Sequence, residues 1–102
     1  MQLEQIAKQL KILGNPTRLR VFRHLVRIGP KGTPVGTIQN ALDLAGSTLT
    51  NHLQKLVAVG LAHQQRKGTE LICTADFKAM QAMIDYLEKE CCLDDCSSDG
   101  VC

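Results

Sequence analysis

Apolar residues recur at helical spacing through the first part of the chain. In residues 2–13 they are three or four positions apart, which predicts an amphipathic helix that stops at Gly14. The apolar stripe of this helix is Leu3, Ile6, Leu10 and Leu13. Asn15 is then a suitable N-cap and Pro16 a suitable first residue for a second helix. The predicted inward stripe of the second helix is Leu19, Phe22 and Val26.

Two further helices follow the turn-forming residues 29–34. Residues 35–44 predict a short third helix with Ile38 and Leu42 inward. Ala45 and Gly46 interrupt the pattern, and Ser47 is predicted to cap a fourth helix over residues 47–59. Its inward residues are Leu49, Leu53 and Leu56.

After Gly60 the pattern indicates strands. Residues 61–66 and 69–74 predict a β-hairpin with a basic tip at Lys67 and Gly68. Asp76 is predicted to cap a last helix over residues 77–92. The apolar residues of this helix follow a heptad spacing and are Phe77, Met80, Ile84, Leu87 and Cys91. The predicted order is α-α-α-α-β-β-α, a mainly α fold in one domain, 1–92, followed by a short tail, 93–102.

The 102 residues suit one domain with a modest core. No apolar run is long enough to cross a membrane, and the first residues lack the apolar core of a signal peptide, so we expect a cytoplasmic protein. Thiols stay reduced in that compartment. The odd count of 5 cysteines also argues against a closed disulfide framework. Four of the five fall in residues 88–102.

Charge divides the chain into a basic body and an acidic end. Residues 1–87 carry 11 Lys and Arg against 5 Asp and Glu, whereas residues 88–102 carry 1 against 5. A basic body fits a polyanionic partner such as nucleic acid, and it equally fits an ordinary solvated surface.

Two short helices followed by a hairpin with a basic tip form the layout of a winged helix-turn-helix. The fourth helix would be the recognition helix. Its polar groups can bond to base edges and phosphates in the DNA major groove, and the hairpin would be the wing. The candidate DNA-binding residues are Ser47, Thr48, Thr50, Asn51, His52, Gln54, Lys55, Arg66 and Lys67.

Three stretches resemble the ArsR-type metalloregulatory repressors: "NPTRLRVFRHLV" from Asn15, "GSTLTNHLQKLVAVGLA" from Gly46 and "QRKGTELICTADF" from Gln65. The resemblance extends over about residues 10–92. It implies a homodimeric winged-helix repressor, paired through its first and last helices. It also implies binding to an inverted-repeat operator in double-stranded DNA, and release when a thiophilic ion binds.

The family places its metal sites at different positions. One type needs a Cys-x-Cys element before the recognition helix, and residues 35–46 contain neither Cys nor His. A second type binds zinc through Asp and His on the last helix, which here has Asp85 but no His. A third type is a C-terminal thiol cluster. The resemblance therefore points to the tail thiols Cys91, Cys92, Cys96 and Cys102.

Thiol chemistry favours As(III) or Sb(III) as the inducer, because these soft ions bind up to three thiolates. Cys91 and Cys92 are adjacent, and Cys96 would share a face with Cys92 if the last helix continued. Cys102 would take part if the tail folded back. The acidic neighbours should raise the pKa values of these thiols. Family members are expected to have a vicinal pair with at most one further cysteine, so four thiols leave the ligand set open.

Other functions stay open. The thiols suit another soft metal (Cd, Pb, Hg, Cu), a methylated arsenical, or a switch that works by thiol oxidation. A vicinal-thiol reductase is disfavoured, because the sequence has no Cys-x-x-Cys in a βαβ setting and no cofactor motif. We therefore expect no enzyme and no constitutive cofactor. Cys73 is expected to be a small packed side chain in the wing.

Overall fold

The structure is a computed structural model that describes residues 2–94. Within them the chain forms five helices and a three-stranded antiparallel sheet. The elements are α1 (Gln2–Leu13), α2 (Pro16–Ile28), β1 (Thr33–Pro34), α3 (Val35–Leu42), α4 (Gly46–Ala58), β2 (Ala62–Lys67), β3 (Glu70–Ala75) and α5 (Phe77–Glu88). The predicted mainly α fold with a small β-wing is confirmed, with one strand more than expected.

Helix α2 begins as predicted but faces the core differently. The Asn15 side chain caps it by accepting a 3.0 Å hydrogen bond from the backbone N–H of Arg18. Its buried residues are Val21, Phe22 and Leu25. Leu19, predicted to point inward, is 40% exposed. The contacts of α2 with α1, α3, α4 and β3 determine which side of the helix is buried. A short apolar stripe in the sequence contains no information about these contacts.

Helix α4 buries the three leucines predicted for it, since Leu49, Leu53 and Leu56 are all fully inaccessible. The prediction that Ser47 caps this helix was wrong. Ala45 already has the extended backbone of an N-cap, so the helix begins at Gly46 and Ser47 lies exposed in the first turn. No side-chain hydrogen bond caps this end.

Strands β2 and β3 form the predicted hairpin. Lys67 pairs with Glu70, which leaves Gly68 and Thr69 in a two-residue turn, and Gly68 has a positive φ of 62°. The sequence did not reveal β1, where Thr33 pairs with Cys73 and Pro34 with Ile72. The observed order is therefore α-α-β-α-α-β-β-α.

The approach of β1 to β3 requires a glycine just before it. Gly32 has a φ of 73°, in the left-handed region that favours glycine. A Cβ at this position would lie 2.8 Å from the carbonyl oxygen of Cys73. Cys73 itself is fully buried, as predicted, and the Gln64 side chain donates to its sulfur at 3.6 Å.

Helix α5 ends one turn earlier than predicted. Lys89 is its C-cap, and Glu90 and Cys92 have φ values of 63° and 58°, which a continuing α-helix does not allow. The prediction that Cys91 extends the apolar seam of this helix was therefore wrong, and both Cys91 and Cys92 lie beyond the helix.

One apolar cluster joins all five helices and the sheet, and the α4 leucines, Val21, Leu25 and Ile38 are among its most buried members. Within residues 2–94 no helix combines the length and apolar character that a membrane span requires.

Asp76 fixes the start of α5 and ties it to the wing. Its Oδ1 accepts from the backbone N–H of Ala79 at 2.8 Å, and its Oδ2 lies 2.7 Å from Nε2 of His63 in β2. The hydrogen bond from Ala79 is the main cause that lowers the pKa of Asp76, and His63 lowers it further.

We expect Asp76→Ala to lower the free energy of unfolding by about 0.5–2 kcal/mol, because α5 loses its cap. Asp76→Asn keeps a capping oxygen and should lose less. Because the folded pKa is depressed, the carboxylate contributes above the ordinary pKa of Asp, and this contribution disappears as the pH falls through the lower folded value. Urea unfolding at one fixed protein concentration measures these differences. Equal losses for Ala and Asn at neutral pH would contradict the capping role.

Candidate nucleic-acid interface

Helix α4 presents a continuous polar face to solvent. Burial of its leucine side fixes the rotation of the helix, so the opposite residues point outward. Six of the seven candidate residues on this helix are exposed, namely Ser47, Thr48, Thr50, Asn51, Gln54 and Lys55. Hydroxyl and amide side chains of this kind can read base edges, while Lys55 and the first turn suit phosphates.

His52 differs from the other candidates because it is only partly exposed. Its Nδ1 is buried and has no hydrogen-bond partner among the described residues. Burial is the main cause that lowers the pKa of His52, with additional effects from Arg18 and Lys55. The ring is therefore neutral at neutral pH and adds no positive charge to the surface.

The wing carries Arg66 and Lys67 at the exposed end of β2, as predicted. Arg66 also lines a cleft of about 450 Å³ between the wing and the first turns of α3. On the α3 side this cleft contains Thr37 and Asn40, both exposed and polar. Neither residue was among those predicted from the sequence. Thr37 and Asn40 are three positions apart on α3, away from the buried Ile38 and Leu42. This spacing is the sequence signal that would have identified them.

Two of the tail thiols, Cys91 and Cys92, lie just beyond the end of α5. Cys91 and Cys92 are exposed, and their sulfurs are 3.6 Å apart. They lie in a turn in which the backbone N–H of Cys91 donates to the backbone carbonyl oxygen of Glu88 at 2.9 Å. The hydrogen bond with Cys92 is the main cause that raises the pKa of Cys91, followed by partial desolvation and the Glu88 carboxylate.

The other two candidate ligands, Cys96 and Cys102, lie outside the described residues. Within residues 2–94, His, Cys, Asp and Glu side chains nowhere gather in a group of three or more that could hold a metal. The described part of the chain therefore brings together two of the four predicted thiols.

The sequence profile of the helix-turn-helix domain family matches residues 13–65, which is 53 of the 102 residues. The chain belongs to the helix-turn-helix domain family. The matched region runs from the end of α1 through α4 into β2, so it includes the whole polar face of α4.

Solved structures place this helix-turn-helix protein among winged-helix regulators. An ArsR-like transcriptional regulator from Rhodococcus sp. RHA1 superposes with a TM-score of 0.78 at 20% identity, over 91% of this chain and 85% of that one. The transcriptional repressor PagR of Bacillus anthracis has a TM-score of 0.71 at 29% identity, over 85% and 97%. No curated protein matches the sequence.

A third similar structure is a homodimeric winged helix-turn-helix DNA-binding domain from Mycobacterium bovis, described as a possible ArsR-family regulator. It has a TM-score of 0.69 at 26% identity, over 84% of each chain. The helix-turn-helix protein therefore has the fold of ArsR-type, DNA-binding transcriptional regulators.

On α4, replacing Asn51 or Gln54 with Ala should cost about 1–3 kcal/mol at a specific DNA site if the residue makes a bidentate contact to a base. Binding to DNA of scrambled sequence should stay the same. Fluorescence anisotropy with both duplexes measures the difference in affinity. An equal loss of affinity on both would show that these amides contact phosphates and not bases.

On the wing, Arg66→Gln and Lys67→Gln should weaken binding to specific and scrambled DNA alike. Each lost phosphate contact should reduce the slope of log affinity against log salt by about 0.9. Titrations at several salt concentrations measure that slope. A changed sequence preference in the wing variants would show that the wing reads bases instead.

Proposed function

We propose that this protein is a homodimeric transcriptional repressor that binds operator DNA through α4 and the wing and dissociates when As(III) or Sb(III) binds its C-terminal cysteines. The observation that carries the sensing role is the exposed pair Cys91 and Cys92, with sulfurs 3.6 Å apart. Two thiols at this separation can bind one soft ion with little movement of the main chain.

Exposed apolar residues on the two terminal helices support the homodimer. Leu3 and Leu10 on α1 are 59% and 39% exposed, and Ile84 and Leu87 on α5 are 37% and 60% exposed. Such residues are costly to leave in water, and a second copy of the chain would bury them. Light scattering at micromolar concentration should give twice the chain mass, and a monomer would exclude this arrangement.

The protonation of Cys91 favours arsenite over a divalent cation. Its raised pKa keeps the thiol protonated at neutral pH. In arsenous acid, each new As–S bond replaces an As–OH bond, and the thiol proton leaves with the hydroxide as water. A cation such as Cd²⁺ must instead release that proton to the solvent, so its binding weakens at lower pH.

This difference gives a test between the two kinds of inducer. Between about pH 6 and 8, DNA release by arsenite should change little, whereas release by Cd²⁺ should become easier as the pH rises. Anisotropy of labelled DNA against inducer concentration measures both. A release by Cd²⁺ at far lower concentration than arsenite would favour a sensor for soft divalent metals.

The mechanism relies on the position of the thiols directly after α5. In the dimer, two α4 helices enter successive major grooves of an inverted repeat. Gathering the thiols around the ion draws in the residues that follow Glu88 and shifts the ends of the two α5 helices. A coupling of about 1–3 kcal/mol is sufficient for release, and by linkage DNA must weaken ion binding equally.

Cys91→Ser and Cys92→Ser should each bind DNA like the parent but fail to release it in arsenite. Each variant leaves one thiol of the pair, and serine is a hard ligand that does not replace the other. The readout is DNA release against arsenite concentration. A Cys91/Cys92 double variant that still responds like the parent would exclude this site.

The two remaining thiols distinguish the inducers. Cys96→Ser should weaken the response to arsenite, which takes three thiolates, and spare the response to a methylated arsenical, which takes two. Cys102→Ser should have the smallest effect, so it serves as the matched control. A Cys102→Ser loss as large as that of Cys96→Ser would place both thiols in the ligand set.

A further inference from the structure

Two glutamines of α1 converge on one backbone carbonyl at the end of α4. The Nε2 atoms of Gln5 and Gln9 donate to the carbonyl oxygen of Val59 at 2.9 and 3.0 Å. The two residues are one helical turn apart, so their side chains share a face of α1. We call this pair of hydrogen bonds the glutamine clasp.

The clasp binds the chain at the junction between the recognition helix α4 and the wing. Val59 is the C-cap of α4, and the next two backbone N–H groups turn back to satisfy the helix: Gly60 donates to Val57 and Leu61 to Leu56. Gly60 has a positive φ of 78°, and β2 begins at Ala62. The carbonyl of Val59 is thus the acceptor through which α1 holds both DNA-facing elements.

Stability alone does not account for Gln9. Its side chain is 95% buried, since only 5% is exposed, and it lies in the same buried row as Ile6 and Leu13. Its Oε1 is buried with no hydrogen-bond partner among the described residues. An unpaired buried carbonyl costs about as much as one hydrogen bond gains, so an apolar residue would fill this position at no loss. What the amide adds is a directed bond to Val59.

We propose that the glutamine clasp positions α4 and the wing relative to α1, so that movement at the subunit interface reaches the DNA-reading surface. Gln5 and Gln9 are positioning residues and touch no DNA. The inference rests on the proposed DNA-binding homodimer with α1 at its interface, and it does not depend on which inducer binds.

The first experiment measures whether the clasp sets DNA specificity. The variants are Gln5→Ala, Gln9→Met and the double variant. Methionine is unbranched and similar in length, so it fills the buried space without a donor or an unpaired oxygen. Gln2→Ala is the matched control, because Gln2 is an exposed glutamine on the same helix. The DNA is the duplex that the protein itself selects from a randomised pool, with a scrambled duplex beside it.

The double variant should lose about tenfold in affinity for the selected duplex. It should keep the parent's affinity for scrambled DNA and its dimer mass. A merely structural role would lower both affinities together, or the dimer mass. That outcome, or selected-site affinity within about twofold of the parent, would overturn the proposal.

The second experiment uses NMR to observe the groups that form the clasp. In the DNA-free parent, arsenite should shift the Val59 carbonyl ¹³C resonance and the Gln9 side-chain NH₂ signals. In the double variant, arsenite should bind with unchanged thiol stoichiometry, yet the ratio of DNA affinities without and with arsenite should fall at least severalfold. An unchanged ratio would overturn the coupling role. If arsenite releases no DNA from the parent, the sensing proposal fails, while the DNA affinities of the first experiment still decide the clasp.

Discussion

Burial of one side of α4 is the constraint on which the DNA-facing surface depends. Three leucines one helical turn apart are fully inaccessible, and each contributes about 1.5–3 kcal/mol through the area it removes from water. Because these side chains cannot rotate outward, the polar residues between them cannot rotate inward. The same packing that stabilises the domain therefore sets which side chains meet a partner, and α2 and the sheet support it from behind.

The sequence predicted the elements with strong local signals. Asn15 and Asp76 are caps with a side-chain acceptor, and both were predicted correctly. The hairpin was also predicted, although its turn at Gly68 and Thr69 lies one residue later than expected. Missed features have weak or misleading local signals. Strand β1 has two residues, one of them proline, and it forms because it pairs with the edge of β3 that β2 leaves open. Helix α4 begins at Gly46 because of the backbone of Ala45, which has no capping side chain.

The candidate site likewise has some features that the sequence predicted and others that it could not. The outward position of the α4 residues followed from helical periodicity, but the partial burial of His52 depends on its neighbours in space. The end of α5 could not be predicted, because Leu87 and Cys91 continue the apolar spacing and the breaks at Glu90 and Cys92 carry neither glycine nor proline. The contact from Gln9 to Val59 joins residues 50 positions apart, and periodicity says nothing about such pairs.

The exposure of Cys91 and Cys92 has a consequence for how this protein can change. Neither side chain belongs to the apolar core, so substitutions there remove almost no buried area, and exposed positions of this kind tolerate exchange within about 0.5 kcal/mol. Under the proposed sensing role, ligands for a different ion can therefore be introduced after α5 without refolding the domain. Evolution and protein engineering share this freedom: under the proposed function, substitutions after α5 would change the sensed ion while α4 and the wing stay intact.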